Sequence, residues 1–377
     1  MIKLAVIGAS YLQLPLIKRA KEMGIETHVF AWKVGDVGEK EADFFYPISI
    51  VEKEKILEKC KEIEIDGICS IASDLAVITV NYVANKMGLN GNSEECTRIS
   101  TNKYLMRRAF EVGGDPSPKS ILVDSVKDLD GIFLEYPIII KPIDRSGSRG
   151  ITKVENSDRL VEAIENAKEQ GFEKKALIEE YVPGDEYSVE YISYHGRHTF
   201  LSMTKKFTTG APNFIETGHI EPAPINEEVL NKVKEIVTHA LDTLMIKNSA
   251  SHTELKISDN GEIKIIEIGG RMGGDFIGSD MVYLSTGVDY VKAVIQVALG
   301  KEPEIRFNSV MRAAGVRFIF GKEDIEVLER LKSENSDYLI YNERHECTGK
   351  IVDSASRYGV FLISAENYSD IEIYMPD

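Results

Sequence analysis

The first 95 residues alternate short apolar runs with segments of helical periodicity. Residues 2–7 form an apolar run broken only by Lys3, and a short turn leads from them into spaced apolar positions over 12–20. The same order of strand and helix returns across 27–30, 56–63, 67–71 and 76–87. Because parallel strands need crossover helices, the pattern predicts a doubly wound parallel sheet. The turn at 8–13 lacks two glycines of the dinucleotide-binding motif, so no NAD site is predicted.

The pattern after residue 100 mixes longer helices with strand-rich segments. Helical periodicity predicts helices over 101–110, 157–168 and 227–245, while apolar or alternating runs predict strands at 137–142 and within 187–203 and 253–268. Strand-like runs at 316–320 and 359–363 flank a predicted helix at 323–333. The chain is therefore expected to combine an α/β part with α+β parts.

Composition and charge narrow the classes of partner. The 377 residues include 61 acidic and 45 basic side chains, a net charge of −16, which disfavours nucleic acid and anionic lipid as partners. The apolar start is too short for a signal sequence and no run approaches the ~18 residues of a membrane span, so a cytoplasmic protein is expected. The four cysteines lack metal-binding or disulfide spacing, which favours reduced, buried thiols.

A lysine at the end of an apolar strand opens the first chemical motif. Lys141 follows three isoleucines and precedes a loop of small and basic residues over 144–150. Burying an ammonium is costly unless it meets an anion, and glycines and serines allow backbone N–H groups to approach phosphate oxygens. The loop is not a Walker motif, so the pattern alone does not establish a phosphate site. A phosphate site is still favoured over a lysine that is only solvated at the end of its strand.

A second motif, over 177–190, joins an apolar strand to carboxylates, an aromatic residue and a Pro-Gly turn. Adenine needs an apolar slot with backbone hydrogen-bonding groups, and a carboxylate suits ribose hydroxyls. A hinge between two lobes could supply both, although a surface turn between strands also fits.

The third motif pairs two carboxylates. Asp259-Asn260-Gly261 predicts a hairpin turn, so Glu254 and Glu267 are expected to face one another on antiparallel strands. Apposed carboxylates repel unless a cation lies between them, and Mg²⁺ commonly combines one or two carboxylates with nucleotide phosphates. Arg271, within a cluster of glycines, is placed to grip a carboxylate or a transferring phosphoryl group.

In this order the motifs resemble the ATP-grasp superfamily, and within it the carboxylate–amine ligases that include L-amino acid ligases. The resemblance spans nearly the whole chain. It implies a parallel-sheet pre-ATP-grasp domain at 1–95, a central lobe at 96–185, a C-terminal ATP-grasp lobe at 186–304 and a small subdomain at 305–377. Mg²⁺, or Mn²⁺ in its place, would accompany ATP.

The resemblance also implies roles for individual residues. Lys103 and Lys141 would hold ATP phosphates, Glu179 would accept from the adenine amino group, Glu186 would bind ribose, and Glu254 and Glu267 would bind magnesium. The phosphate loop would include Ser146, Gly147, Ser148 and Gly150, and the hinge Tyr181 and Val182.

Two features point to the amino-acid ligase branch. Gly269 stands where many family members carry Asn, which puts a second magnesium in doubt, and the segment around Lys205 and Lys206 with Glu216 and His219 resembles that branch. Either lysine could meet the γ-phosphate, and Lys205 is narrowly preferred. Glu216, His219 and His252 are candidates for orienting substrates or the amine proton, alongside the alternative that each is an ordinary polar residue.

These residues imply an ADP-forming ligase that works in two steps. ATP would phosphorylate a carboxylate, expected to be that of an amino acid, to an acyl phosphate, and an amine would then displace phosphate. Arg271 would hold the substrate carboxylate or the acyl phosphate. The alternatives are a carbamoyl-phosphate-synthase-like ligase acting on bicarbonate and a non-catalytic ATP-binding sensor. A homodimer is the commonest assembly for such a protein.

Overall fold

The N-terminal part is a parallel α/β unit. The computed structural model describes residues 1–145, 147, 149–211, 214–346 and 349–376. The N-terminal elements are β1 (Lys3–Ile7), α1 (Leu14–Glu22), β2 (Glu26–Phe30), α2 (Val37–Glu41), β3 (Phe44–Tyr46), α3 (Lys53–Ile63), β4 (Gly67–Cys69), α4 (Asp74–Met87) and α5 (Glu94–Thr101). The strands run parallel in the order β3–β2–β1–β4, which confirms the predicted sheet.

A small antiparallel sheet with a helix packed on it follows. Its part of the chain comprises α6 (Lys103–Gly113), β5 (Ser120–Val123), β6 (Ile138–Pro142), β7 (Thr152–Val154), α7 (Leu160–Gln170) and β8 (Ala176–Glu180), with the strands in the order β5–β8–β6–β7. The apolar stripe of α7, which includes Leu160, Ile164 and Ala167, packs against Ile138 and Ile140 of β6. The small sheet can therefore present the polar end of β6 to a neighbouring lobe.

A large antiparallel sheet organises the rest of the chain. The remaining elements are β9 (Asp185–Tyr194), β10 (Arg197–Thr208), β11 (Glu216–Glu221), α8 (Glu227–Thr243), β12 (Ser249–Ile257), β13 (Ile263–Gly269), α9 (Val282–Thr286), α10 (Tyr290–Ala298), β14 (Ala313–Phe318), α11 (Lys322–Glu334), β15 (Leu339–Arg344), β16 (Gly359–Ala365) and α12 (Tyr368–Glu372). The strand order is β13–β12–β9–β10–β11–β14–β16–β15. The C-terminal strands join the same sheet through the pairing of β11 with β14.

Helices cover both faces of this large sheet. Val233 and Val237 of α8 pack in one core with Val189 and Leu255. On the other face, α10 lies between the large sheet and the N-terminal unit, and its buried side chains share a core with α1 and β1. The N-terminal unit is thus packed, through α10, against the sheet that carries the paired carboxylates.

The turn after β12 agrees with its sequence signal. Gly261 has a φ of 81°, and the backbone N–H of Gly261 donates to the carbonyl of Ser258. The turn joins β12 to β13 in an antiparallel pair, as the Asp-Asn-Gly sequence predicts.

The thiols that the structure describes are buried, as their spacing in the sequence favours. Cys60, Cys69 and Cys96 are buried and free, and burial raises the pKa of each thiol to about 12. Cys347 lies outside the described residues. Across the described ranges, no helix combines the length and apolar character needed to cross a bilayer.

Candidate active site

A cleft between the small sheet and the large sheet gathers most of the residues that the sequence singled out. The helix α6, the loop after β6 and the start of α4 complete its walls. The predicted residues that line it are Lys103, Lys141, Gly147, Glu179, Tyr181, Val182, Glu186, Glu216, His252, Glu254, Glu267 and Arg271. Their separate positions in the sequence therefore converge on one site.

Lys141 is held inside the cleft wall by a buried ion-pair cluster. Its Nζ lies 2.6 Å from Glu179 Oε2, and Arg107 Nε lies 2.8 Å from Glu179 Oε1. Burial lowers the pKa of Lys141, and Glu179 opposes that effect. Burial would raise the pKa of Glu179, but Arg107 and Lys141 bring it below its usual value. Two cations share one carboxylate, so the cluster keeps a net positive charge.

The position of Glu179 bears on the predicted adenine contact. Glu179 is 3% exposed, and both of its oxygens have a cationic partner in the structure. Its evident role is to hold Lys141 and Arg107, and the contact with an adenine amino group stays a prediction.

Lys103 connects three parts of the cleft. From the first turn of α6 its Nζ reaches Glu267 Oε1 at 2.7 Å on β13 and the carbonyl oxygen of Arg145 at 2.6 Å in the loop after β6. Side chains four residues apart share a helix face, which places Arg107 beside it. That spacing is a signal by which Arg107 could have been found from the sequence.

Glu254 and Glu267 face one another across β12 and β13, as the hairpin predicts. Each side chain is about a quarter exposed, at 28% and 25%, and each has a lysine partner, Lys206 for Glu254 and Lys103 for Glu267. Burial would raise the pKa of Glu254, but Lys206 and His252 bring it well below its usual value. Two carboxylates therefore open into the cleft side by side, and the cationic neighbours of Glu254 keep that side chain ionised.

This pair of carboxylates fits a hard divalent cation that also binds ligand oxygens. Among the described residues, no group of three or more His, Cys, Asp or Glu side chains is arranged to hold a metal. Mg²⁺ is suited to such a setting because it takes one or two carboxylates and completes its octahedron with phosphate oxygens and water.

The structure places the two adjacent lysines of β10 in different surroundings. Lys205 lies on the side of the strand away from the cleft, and its Nζ pairs with Asp185 at 2.9 Å. Lys206 lies in the cleft, with its Nζ 2.7 Å from Glu254, 3.2 Å from Glu186 and 3.5 Å from Glu216. Successive side chains of a strand point to opposite faces, so only one of the two can enter.

The hinge predicted for the nucleotide base lies between β8 and β9. Tyr181 and Val182 line the cleft, and the Nζ of Lys153 lies 4.2 Å from the centroid of the Tyr181 ring. In the phosphate loop, Gly147 lines the cleft, whereas Gly150 packs beside Gln170 and Pro142 and does not line it. Ser146 and Ser148 lie outside the described residues.

His252 and Arg271 each have a carboxylate partner that the sequence did not single out. His252 Nδ1 contacts Glu190, which is fully buried and also accepts from the backbone N–H of Gly273 at 3.0 Å. Arg271 donates from Nε and Nη2 to the two oxygens of Asp74, at 2.8 and 2.9 Å. Asp74 stands after a parallel strand, where ligands commonly bind in such sheets, and that position is the signal for it. Glu190 lies four residues after Glu186 on β9, so both side chains point to the same face of the strand, and that shared face is the signal for Glu190.

Glu216 and His219 occupy different positions. Glu216 lines the cleft and accepts from the hydroxyl of Ser354 at 3.1 Å. His219 lies behind it, 1% exposed, opposite Lys206 in the β10–β11 register and edge-on to Phe318. Burial, with Lys206 beside it, lowers the pKa of His219 to about 3. The ring is therefore neutral and does not line the cleft.

Comparison with known proteins agrees with this geometry. Residues 134–280, which contain the hinge, Lys206 and both carboxylates, match the family model described as ATP-grasp domain. This segment is similar to an ATP-grasp domain. This finding and the likeness in fold described below confirm the resemblance and the fold class that the sequence predicted.

Similar proteins include amino-acid ligases. Over 300 residues the chain is 27% identical to the alanine–anticapsin ligase of Bacillus subtilis, covering 70% of this chain and 63% of that protein. It is 23% identical to the L-arginine-specific L-amino acid ligase of Bacillus subtilis, covering 70% of this chain and 65% of the relative. The chain thus spans a little under two thirds of the length of these relatives.

A solved structure extends the likeness in fold beyond the ATP-grasp domain. The L-amino acid ligase from Bacillus licheniformis superposes with a TM-score of 0.83 at 24% identity, over 99% of this chain and 96% of that one. The arrangement of the parallel unit, the small sheet and the large sheet is therefore that of a known fold.

Proposed function

We propose that this protein is an ATP-dependent, ADP-forming carboxylate–amine ligase that activates the carboxylate of an amino acid as an acyl phosphate. One observation carries the proposal: the facing pair Glu254 and Glu267 shares a cleft with Lys103, Lys141 and Arg271. Two carboxylates suit a nucleotide-bound cation, and the cationic side chains suit the charge of a transferring phosphoryl group. The names of its relatives support the same chemistry.

ATP would lie with its base against the hinge and its phosphates toward the lysines. Tyr181 and Val182 offer an apolar wall, and Glu186 offers a carboxylate for the ribose hydroxyls. Lys141 and Lys103 would neutralise phosphate charge, and Lys206 is the third candidate because it lies beside Glu254.

The chain's residues would favour the reaction by position and charge. The substrate carboxylate would attack the γ-phosphate, and Arg271 would hold it in line by charge-assisted hydrogen bonds. The bound amine would then attack the acyl carbon and release phosphate. Mg²⁺ held by Glu254 and Glu267 would supply electrostatic stabilisation of phosphate oxygens. No protein nucleophile is required.

The deciding experiment is ADP release from the purified protein with ATP, Mg²⁺ and pairs of amino acids, followed by mass spectrometry of the product. The proposal expects ADP and phosphate in equal amounts with a condensed product for at least one pair. ATP binding without ADP release for every pair would contradict it and favour a nucleotide sensor.

Glu267→Gln tests the role of the facing carboxylates. It keeps the shape of the side chain and a polar partner for Lys103 but removes the charge, so we expect ADP release to fall at least about 100-fold. Thermal unfolding should show a folded protein.

The matched control is Glu262→Gln on the same hairpin, because Glu262 is exposed and pairs only with Lys264 at 3.5 Å among the ion pairs of the described residues. That variant should keep its activity. Full activity in Glu267→Gln would show that the paired carboxylates are structural.

A further inference from the structure

The C-terminal strands carry a buried cation that reaches toward the active-site cleft. Arg357 lies just before β16, and only 5% of its side chain is exposed. Its Nη2 donates to Asp275 Oδ2 at 2.6 Å, and its Nε donates to the carbonyl oxygen of Ser354 at 2.7 Å. Its Cζ lies 3.6 Å from the centroid of the Phe318 ring. Burying a guanidinium is costly unless an anion or an aromatic face meets its charge, so these contacts fix the side chain in place.

The segment that contains Asp275 has an unusual backbone. Asp275 has a φ of 48° and Phe276 a φ of 69°, and a π-helical turn, Ile277–Met281, follows. Residues other than glycine keep such angles only where their surroundings hold them, and strained residues and π-turns occur frequently at functional sites. Here the C-terminal strands supply the surroundings, because the π-turn packs in one core with β14 and β16 and the Phe276 ring lies 5.9 Å from that of Tyr341.

The turn before Arg357 contacts a second wall of the cleft. Ser354 begins a short 3₁₀ turn that Asp353 caps. The hydroxyl of Ser354 donates to Glu216 Oε2 at 3.1 Å, and Glu216 lines the cleft. Because Arg357 also holds the carbonyl of Ser354, the hydroxyl and the guanidinium are fixed relative to one another. One turn therefore contacts both β11 and the segment after β13.

Glu216 has no closer ionic partner of its own in the described part of the chain. Its ion pair is with Lys206, at 3.5 Å, and that ammonium lies closer to Glu254, at 2.7 Å, and to Glu186, at 3.2 Å. The hydroxyl of Ser354 makes the shorter contact with Glu216. A change in the turn is therefore expected to move Glu216 rather than the lysines of the phosphate side.

We propose that Arg357 is a positioning residue through which the C-terminal strands set the geometry of the amino-acid side of the cleft. It acts through Asp275 on the segment after β13, and through Ser354 on Glu216. The inference rests on the proposed ligase function and adds that residues 305–377 take part in turnover as well as extending the large sheet. Lys103 and Lys141 lie on the opposite lobe, so the ATP side should be affected little.

Steady-state kinetics of ADP release, with each substrate varied in turn, test this division. The amino acids are L-alanine, L-arginine and L-leucine, alone and in pairs, with ATP and Mg²⁺. Arg357→Met removes the charge and its hydrogen bonds, so kcat/KM for the amino acid should fall roughly 10- to 100-fold. The KM for ATP should change by less than about threefold.

Two milder variants grade the effect. Arg357→Lys keeps the charge but cannot donate to Asp275 and to the carbonyl of Ser354 in the same geometry, so its loss should be intermediate. Ser354→Ala removes one hydrogen bond to Glu216 and should lower kcat/KM for the amino acid about 3- to 10-fold. Either variant carries the test where Arg357→Met does not fold.

Hydrogen exchange supplies a readout that does not need turnover. The backbone N–H groups of Asp280 and Met281 donate to the carbonyl of Phe276, so a peptide over 276–283 reports on the held segment. In Arg357→Met its exchange should be roughly 10- to 100-fold faster, while that of β6 in the small sheet stays unchanged.

The matched control is Arg317→Met. Arg317 lies on β14, pairs with Asp324 at 2.8 Å and does not line the cleft. Its loss should lower thermal stability but leave the exchange of 276–283 and the kcat/KM for the amino acid close to those of the wild type. The same kinetic change in both variants would show that Arg357 acts only through the stability of the C-terminal strands, and the inference would fall.

The outcomes separate this inference from the ligase proposal. Equal changes in the KM for ATP and for the amino acid, or unchanged kinetics and exchange in Arg357→Met, would overturn the role of Arg357 and leave the ligase standing. Absence of ADP release from the wild type with every amino acid would contradict the ligase. The exchange of 276–283 in the Arg357 and Arg317 variants would then decide alone whether Arg357 orders the segment after β13.

Discussion

Three carboxylates surround the ammonium of Lys206 within 3.5 Å, which makes it the most heavily paired lysine of the cleft. Burial would lower its pKa, but Glu254, Glu186 and Glu216 raise it well above its usual value. The side chain therefore stays charged although only 3% of it is exposed. It offsets part of the negative charge that Glu254 brings and fixes the position of three acidic side chains at once.

Replacing each of the two neighbouring lysines by methionine tests this difference. Lys206→Met leaves three carboxylates without their cation, so we expect a loss of about 3 kcal/mol in stability and at least about 100-fold in ADP release. Lys205→Met removes only a partly exposed pair with Asp185 and should change either quantity little. Thermal unfolding and initial rates of ADP release give both numbers, and equal losses in the two variants would contradict the assignment.

Residue type and order were enough to indicate which side chains share the cleft. Lys141, Glu254, Glu267 and Arg271 were chosen from motifs and Lys103 from the family resemblance, and the structure brings all five together. Their partners were harder to predict, because Asp74 and Glu190 reach the site through tertiary packing that no local pattern encodes. The preference for Lys205 stays a prediction, but the structure favours Lys206, because that lysine is the one on the face of β10 that points toward Glu186 and the cleft.

At the scale of elements, the connection from β8 to β9, which joins the small sheet to the large sheet, packs closely against the end of β12. Gly184 in this connection has a φ of 104°, and a Cβ there would lie 2.2 Å from the carbonyl oxygen of Ile257 at the end of β12. The hinge backbone therefore passes directly against the hairpin that carries Glu254. Only glycine allows both the dihedral angle and the close approach.

Gly184→Ala should consequently be more harmful than an ordinary substitution of glycine. Gly131 also has a positive φ, 80°, but a Cβ there meets nothing within 4 Å, so Gly131→Ala isolates the cost of the dihedral angle. We expect a cost of about 1 kcal/mol for Gly131→Ala and about 3 kcal/mol for Gly184→Ala, where overpacking against the carbonyl adds to the strain. Denaturation midpoints measure both, and a Gly184→Ala protein as stable as its control would disprove the close contact.

The periodicity of the sequence predicted the existence and type of these elements better than their partners. The parallel unit, α7, α8 and the β12–β13 hairpin all follow from apolar spacing and turn residues. The pairing of β11 with β14 joins segments about a hundred residues apart, and no local signal fixes such a register. The strands of 305–377 were expected in a separate subdomain, and that boundary stays a prediction although the strands extend the large sheet.

At the scale of the whole molecule, a buried acid stands where the C-terminal strands join the sheet. Glu221, on β11, is fully buried beside β14, accepts from Thr204 at 2.8 Å and accepts from Ser285 at 2.6 Å. Burial raises its pKa from 4.5 to about 7, and the hydroxyl donors only partly oppose this effect. The folded protein therefore prefers the protonated side chain over a range in which the unfolded chain is ionised.

The consequence is a stability that depends on pH in a defined direction. Below about pH 4.5 the side chain is neutral in both states and costs nothing, and the cost of burying the charge grows as the pH rises and is complete above about pH 7. At one pKa unit per 1.36 kcal/mol, the full cost is on the order of 3 kcal/mol. Glu221→Gln keeps the size of the side chain but cannot ionise, so its stability relative to the wild type should rise by most of that amount between about pH 5 and pH 8. Measuring both proteins in the same way cancels the contribution of every other titrating group. A difference in stability that stays constant across this range would show that Glu221 is ionised in the folded state at all these pH values. The contact between the large sheet and its C-terminal strands would then tolerate a buried charge.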